Sequence, residues 1–195
     1  MLVATFVVLM AQTPHLESVV ETHDPKPNFI SLRVGASTGD ENERPQLCLE
    51  GAPLAFLKVD GKPLTGVRLE ACGTGAGILH DDTSAEMAHF RVKGRLLQLG
   101  FEGWSVEALA GLGLAELQLG RDTPGFRLTD AGPANTNTAG PEGTLHLAAK
   151  ADAGGGFDVV ADLALGVAYL PFAPEISQTF DTILPTVSLS LGLGF

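Results

Sequence analysis

Strict alternation of apolar and polar side chains runs through much of this 195-residue chain and constrains its fold more than any other feature. A period of two places successive side chains on opposite faces of an extended strand, so it predicts β-strands whose two faces meet different surroundings. The alternation is cleanest at the end of the chain, where threonine, serine and glycine separate the apolar residues. Those residues are Val187, Leu189, Leu191, Leu193 and Phe195. We therefore expect an all-β fold.

Eight such segments follow one another, and each is ten or more residues long. Strands of soluble proteins are about five or six residues long, whereas a strand tilted across a membrane needs about 9 to 11. The segments are Asn28–Thr38, Gln46–Lys58, Lys62–Leu79, Met87–Phe101, Trp104–Gly120, Thr144–Ala153, Phe157–Leu170 and Leu184–Phe195. Pro53 argues against the second assignment, because proline lacks the backbone donor that a closed sheet requires. The lengths as a set favour membrane-spanning strands.

The connections between these segments alternate between short and long. The short ones are Val59–Gly61, Glu102–Gly103 and Gly154–Gly156, and the long ones are Gly39–Pro45, His80–Glu86, Arg121–Gly143 and Pro171–Ile183. Alternate connections of an up-and-down sheet lie at the same end. We therefore expect one end with tight turns and one end with longer polar loops, as transmembrane barrels have.

The N-terminal region reads as an export signal followed by a leader. Residues 1–11 form an apolar stretch of signal-peptide length, and Ala11 is a small residue suited to precede a cleavage site. A buried N-terminal strand and a misassigned start are the alternatives. Residues 12–27 are polar and proline-containing, so we interpret them as a leader to a barrel domain over residues 28–195. The apolar run is shorter than the roughly 20 residues that a membrane helix needs.

Together, the export signal, the eight amphipathic strands, the alternating connections and the terminal phenylalanine resemble the small outer-membrane β-barrels, such as the transmembrane domain of outer membrane protein A. The resemblance implies a closed, antiparallel, up-and-down transmembrane β-barrel of eight strands in the bacterial outer membrane. It also implies short periplasmic turns and longer outer loops. Val187–Phe195 resembles the C-terminal strand signal of that family, which implies outer-membrane lipid and the barrel-assembly machinery as partners.

If the apolar parity faces lipid, the opposite parity lines the barrel interior and carries charges of both signs. The predicted interior charges are Arg33, Glu50, Arg68, Glu70, Arg91, Lys93, Arg95, Glu107, Lys150, Asp158 and Asp162. A barrel of eight strands encloses little more than its own side chains, and buried charges must be paired. We therefore expect an ion-paired, largely closed interior and no open pore.

The two cysteines test the strand register. If Val59–Gly61 is a three-residue loop, positions summing to 120 face each other, so Cys48 meets Cys72 and a disulfide can form. Two unpaired buried thiols are the alternative. The same register sets Glu50 opposite Glu70, a like-charge pair that requires a cation nearby.

The parity of the apolar residues reverses within the fourth and fifth segments. A β-bulge explains such a reversal, and Gly94 is one candidate. Packing of the later part of each strand against a loop is the other explanation. The sequence leaves both open.

The sequence carries no Gly-x-Ser-x-Gly elbow, phosphate loop or His-Glu-x-x-His helix, so we expect no enzyme, cofactor or metal site. A net charge of −11 excludes nucleic acid as a partner. We predict a non-enzymatic outer-membrane barrel that acts structurally, or as a binding and adhesion platform through Arg121–Gly143, with an unknown surface partner. The alternatives are an outer-membrane lipid-modifying enzyme and a soluble secreted β-sandwich or lipocalin-like carrier, in which the apolar parity would line the core.

Overall fold

The computed structural model describes residues 30–38, 43–59, 61–73, 85–119, 137–176 and 180–195. These residues form ten strands and one short helix. The elements are β1 (Ile30–Thr38), β2 (Glu43–Gly51), β3 (Lys58–Val59), β4 (Lys62–Pro63), β5 (Val67–Gly73), β6 (Ala85–Phe101), β7 (Trp104–Leu119), β8 (Asn137–Gly154), β9 (Phe157–Tyr169), α1 (Ala173–Ile176) and β10 (Ile183–Gly194). Across those ranges, no helix has the length and hydropathy needed to cross a bilayer.

Eight of the strands close into one barrel in the order β1-β10-β9-β8-β7-β6-β5-β2, and all their pairings are antiparallel. β1 pairs with β10, so the first and last strands seal the sheet. This confirms the predicted up-and-down barrel of eight strands. Closure satisfies the backbone hydrogen bonds that an open sheet leaves free at its edges.

The alternation seen in the sequence becomes an outside and an inside. On β10, Leu189 and Leu191 point outward and are 62% and 57% exposed, whereas Thr186 and Ser190 point inward and are buried. The same parity holds on β9, where Leu163 and Leu165 face outward. The apolar parity thus covers the outer wall of the barrel.

The connection between β2 and β5 corrects the predicted three-residue loop. β2 ends at Gly51, Pro53 lies in a turn outside the barrel wall, and residues 52–66 carry the small β3–β4 hairpin. Cys48 nevertheless pairs with Cys72, as predicted. The register survives because Gly51 and Leu69, the pair of β2 and β5 nearest the connection, each lie nine positions from position 60.

β8 corrects the predicted sixth strand and the loop before it. The strand begins at Asn137 and not at Thr144, so residues 137–143 belong to the barrel wall. Pro141 and the glycines beside it hid the alternation in this stretch. The remainder of the predicted loop, residues 121–136, lies outside the described residues, as do residues 74–79 of the predicted third strand.

The two parity reversals have different causes. In β6 the register shifts between Arg95 and Leu97, which places a bulge at Leu96 and not at Gly94. In β7 the register with β8 is continuous, so the strand has no bulge on that side. There Leu117 points inward and is fully buried, in one cluster with Ala173 and Phe180 of the connection between β9 and β10, so packing against a loop is the correct explanation.

An apolar cluster fills the barrel at the end that carries the long connections. Its members are 5% exposed or less and come from four strands, α1 and the segments flanking it. They are Met87, Ala115, Leu117, Ala168, Leu170, Ala173, Phe180 and Leu184. Phe180 is among the buried aromatic residues of the chain. We call this cluster the apolar cap.

Small residues let the strands of this narrow barrel approach closely. A Cβ on Gly35 would overlap the carbonyl oxygen of Leu189 on β10, and a Cβ on Gly192 would overlap that of Leu32 on β1. Glycine kinks of this kind allow a sheet to curve sharply. The β1–β10 seam is therefore closed at positions that tolerate no side chain.

The charged barrel interior as candidate functional site

Below the apolar cap, the barrel interior holds a network of charged side chains. Among the described strands, every barrel strand except β10 contributes to it. β10 lines the interior with small residues, Thr186, Ser188, Ser190 and Gly192, which leave room for the long side chains opposite. Alternation on each strand points these charges inward, and closure of the sheet brings them together.

Glu70 on β5 is the centre of the network and is 1% exposed. Its Oε1 accepts from Arg91 Nη1 at 2.9 Å, and its Oε2 lies 2.7 Å from Lys93 Nζ. Arg33 on β1 also donates to this carboxylate. One carboxylate thus joins cations from two different strands, β1 and β6.

The network also compensates the repulsion between the two acids that the strand register places side by side. Glu50 lies directly opposite Glu70, as the sequence predicts. Arg33 and Lys93 each pair with both carboxylates, with Arg33 Nη2 at 3.3 Å from Glu50 Oε2. Two cations therefore neutralise the two adjacent acids.

Toward the apolar cap, the network ends in a cluster that the sequence analysis missed. Glu142 on β8 accepts from Arg91 Nε at 2.8 Å and lies 2.9 Å from Nδ1 of His89. Glu142 was overlooked because it fell within the predicted loop. His89 alternates in step with Arg91 and Lys93, and this spacing was the available signal.

At the end with short connections, Glu107 on β7 holds three cations. Arg68 donates to it, Lys150 Nζ lies 3.3 Å from its Oε2, and Arg95 Nη1 lies 3.4 Å from its Oε1. Arg68 also reaches Glu50 at 3.1 Å. These contacts join the lower cluster to the centre, so the pairs form one continuous network.

The structure places ten of the eleven predicted interior charges in this network and leaves Asp158 outside it. The side chain of Arg95 is 29% exposed. Asp158 lies opposite Asp152 at the end of β9 and forms no ion pair with another described residue. The network then comprises six Lys and Arg, five Asp and Glu, and two histidines. The charges nearly balance, although the whole chain carries −11.

A hydroxyl, an imidazole and a carboxylate meet inside the barrel. His146 Nδ1 lies 3.1 Å from Asp162 Oδ1, and His146 Nε2 lies 3.0 Å from Thr144 Oγ1. This is the order of groups in a hydrolase triad. All three are buried, however, and Thr144 fills the space left by Gly111 and Gly166 on the neighbouring strands. The hydroxyl is therefore closely packed between two neighbouring strands.

Glu70, His146 and Asp162 also bring three ligand atoms within 4.8 Å of one another. Arg33 pairs with both carboxylates of this group, at 3.0 Å from Asp162 Oδ2. A guanidinium therefore supplies the positive charge at this point. The donor set fits an ion-paired cluster better than a metal site.

The predicted disulfide is present. Cys48 and Cys72 are bonded across β2 and β5, with their Cα atoms 4.1 Å apart. Both are nearly fully buried and point into the barrel. Five residue pairs join β2 to β5, whereas sixteen join β6 to β7, so the disulfide crosses a short seam of the barrel.

The residues of the predicted assembly signal all lie on the outer wall. Val187, Leu189, Leu191 and Leu193 alternate outward along β10 and are 45–62% exposed. Phe195, 47% exposed, packs edge-on against Phe157 with ring centroids 5.3 Å apart. This apolar stripe runs along the β1–β10 seam.

Comparison with known proteins finds similarity at the level of the fold. A search of family profiles finds no match, and no curated protein matches the chain. The N-terminal β-barrel domain of Pseudomonas aeruginosa OprF is 12% identical, with a TM-score of 0.44 over 86% of this chain and 98% of that one. Ail, the attachment invasion locus protein of Yersinia pestis, is 10% identical, with a TM-score of 0.41 over 85% and 93%. The assignment of this chain's fold rests on the closed strand pairing.

Proposed function

We propose that this chain is a non-enzymatic barrel of the bacterial outer membrane that acts structurally and presents its long connections as a binding surface. The partition of side chains carries the proposal. Large apolar residues cover the outer wall, and ion pairs fill the interior. Water favours the opposite arrangement, whereas a bilayer favours an apolar outer band.

The height of the apolar band supports a membrane location. Along β7, the apolar residues that point outward run from Trp104 to Leu114, and the next residue of that parity, Glu116, is charged and buried. The ten steps between these two residues, at about 3.3 Å each and tilted by about 40°, rise about 25 Å. Outer-membrane barrels carry an apolar band of about 25 Å.

The interior supports a closed barrel. Its charges are held in pairs, and the apolar cap fills the end with long connections. Hydrated ions crossing the barrel would have to break several of these pairs at once. We expect reconstituted protein to conduct no more current than the lipid alone, and steady single-channel steps would contradict a closed interior.

The rival functions fit these observations less well. A soluble sandwich or lipocalin-like carrier would bury the apolar parity that here faces outward. A lipid-modifying enzyme would need its hydroxyl at the rim or on the lipid face, whereas Thr144 is buried inside the barrel. We therefore favour the structural and binding roles.

Membrane fractionation tests the location. We expect the protein in the outer-membrane fraction, and we expect the detergent-solubilised barrel to migrate faster on a gel before boiling than after. Protein that stays soluble without detergent would refute the proposal. In the proposed topology, the short-connection end faces the periplasm, residues 1–11 are the export signal, and Val187–Phe195 is read by the barrel-assembly machinery.

The binding role is assigned to residues 121–136, which belong to the longest connection. An epitope tag placed there should be accessible to antibody on intact cells, and deletion of this stretch should leave heat-modifiable migration unchanged. A matched tag at Glu102, in a short turn, should be inaccessible until the cells are opened. The reverse pattern would refute the proposed orientation.

A further inference from the structure

One connection at the short-turn end departs from the tight turns beside it. β6 and β7 are joined by Glu102 and Gly103 alone, whereas β2 and β5 are joined by residues 52–66. This connection has its own hydrogen bonds, from Leu57 N to Leu54 O at 2.9 Å and from Leu64 N to Leu57 O at 2.8 Å. The β3–β4 pairing adds to them. It is therefore a folded projection of the barrel.

The projection buries one side and exposes large apolar groups on the other. Ala52 and Ala55 are 8% and 5% exposed, so this side of the projection is covered. Phe56 is 76% exposed and Leu57 is 45% exposed. Phe56 is the most exposed large apolar side chain in the described part of the chain. Such exposure is unfavourable in water and indicates a surface that meets another apolar phase.

The projection continues the outer apolar wall. Leu47 and Leu49 on β2 face outward and are 52% and 53% exposed, and the strand leads directly into the connection. Phe101 and Trp104 stack at the same end of the barrel, with ring centroids 4.1 Å apart. Aromatic rings of membrane proteins gather at the interface between hydrocarbon and headgroups. This continuity points to lipid as the occupant.

The charge of the projection has the sign that suits an anionic leaflet. Residues 52–66 include Lys58 and Lys62 against one acid, Asp60, a net charge of +1 in a chain of −11. The Lys58 side chain is exposed beside Phe56 and Leu57. Lysines near a membrane surface are attracted to anionic headgroups while their stems remain in the apolar layer.

We propose that residues 54–58 form an interfacial anchor in the inner leaflet of the outer membrane. Phe56 and Leu57 enter the acyl-chain region, and Lys58 contacts the phosphate of an anionic phospholipid. The anchor holds the short β2–β5 seam at the membrane surface. This inference rests on the proposed membrane location, so its test must report on the two separately.

Tryptophan fluorescence provides that test, because Trp104 is the single tryptophan of the chain. In a Trp104→Phe background, one tryptophan is placed by Phe56→Trp, by Leu147→Trp on the outer wall of β8, or by Glu102→Trp in the tight turn. Each protein is folded into vesicles of phosphatidylcholine, with and without phosphatidylglycerol. Brominated acyl chains then quench tryptophans that touch lipid, and a gel-shift on boiling verifies folding.

The anchor predicts that position 56 is quenched more strongly by shallow than by deep bromines, and more strongly with phosphatidylglycerol. Lys58→Gln should remove the dependence on phosphatidylglycerol, and a dependence that persists would overturn the role of Lys58. Position 147 should be quenched by deep bromines and position 102 should resemble a tryptophan in water. If position 147 is quenched and position 56 is not, the projection faces water, as a surface for a periplasmic protein would, and the anchor is wrong. If position 147 is also unquenched, the membrane location itself fails, and the anchor fails with it.

Discussion

Replacing Glu70 with glutamine tests whether the interior network stabilises the barrel. The Glu70→Gln change keeps the size of the side chain and removes one negative charge from a site that is 1% exposed. Three cations contact this carboxylate, namely Arg33, Arg91 and Lys93. The substitution therefore leaves excess positive charge in the centre of the barrel.

The size of the stability loss depends on which acidic partners each cation keeps after the substitution. Removing one partner from a buried ion pair costs about 3 to 5 kcal/mol. Arg33 still pairs with Asp162, and Arg91 still pairs with Glu142. Lys93 likewise keeps its contact with Glu50. Because none of the cations loses its last acid, we expect the lower end of the range, about 3 kcal/mol.

Urea unfolding of the protein in lipid vesicles, followed by the heat-modifiable gel band, measures this loss. Glu102→Gln is the matched control, because Glu102 is exposed in a tight turn and should change the free energy of unfolding by less than about 0.5 kcal/mol. Adding Lys93→Met to Glu70→Gln removes one excess positive charge and should recover part of the loss. A Glu70→Gln protein as stable as the control would refute the view that these pairs stabilise the barrel.

Three further changes test other parts of the structure by the same unfolding assay. Replacing both cysteines, as Cys48→Ala with Cys72→Ala, removes a disulfide that closes a loop with a sequence separation of 24. From loop-closure entropy, we expect the free energy of unfolding to fall by about 3.5 kcal/mol. An unchanged urea midpoint would contradict a stabilising role of the disulfide. Leu147→Arg puts a charge near the middle of the outer apolar band and should cost about 2 to 4 kcal/mol, whereas a soluble barrel would tolerate it. Leu117→Ala leaves a cavity in the apolar cap and should cost about 2 to 5 kcal/mol; a negligible loss would show that the cap is loosely packed.

The alternation of side chains made the barrel predictable, because it depends only on neighbouring residues. A period of two assigns each residue of a strand to one face, and a chain whose strands all have one apolar face must close or stack. The pairing of Cys48 with Cys72 followed from counting, since register in a hairpin is set by its centre. Arg33, Glu70 and Lys93 could be assigned to the interior in the same way.

The errors occurred where the environment changes along a strand. Leu117 breaks the parity because the interior itself turns from charged to apolar at the cap. Glu142 was hidden by Pro141 and its neighbouring glycines, which resemble a loop in sequence but lie in a paired strand. Leu96 occupies the bulge that Gly94 was expected to form, because a bulge is placed by the partner strand and not by the local sequence.

By itself the sequence determined that the strands of this chain have one apolar and one charged face, and how many such strands there are. Only the tertiary structure decided which charges meet, because partners such as Arg33 and Asp162 lie far apart in the chain and are joined through closure of the sheet. It also decided that Thr144, His146 and Asp162 are buried together inside the barrel. The physical reason is the distance along the chain over which each feature is set. Alternation depends only on neighbouring residues, whereas the pairing of buried charges depends on strands that are brought together only when the barrel closes.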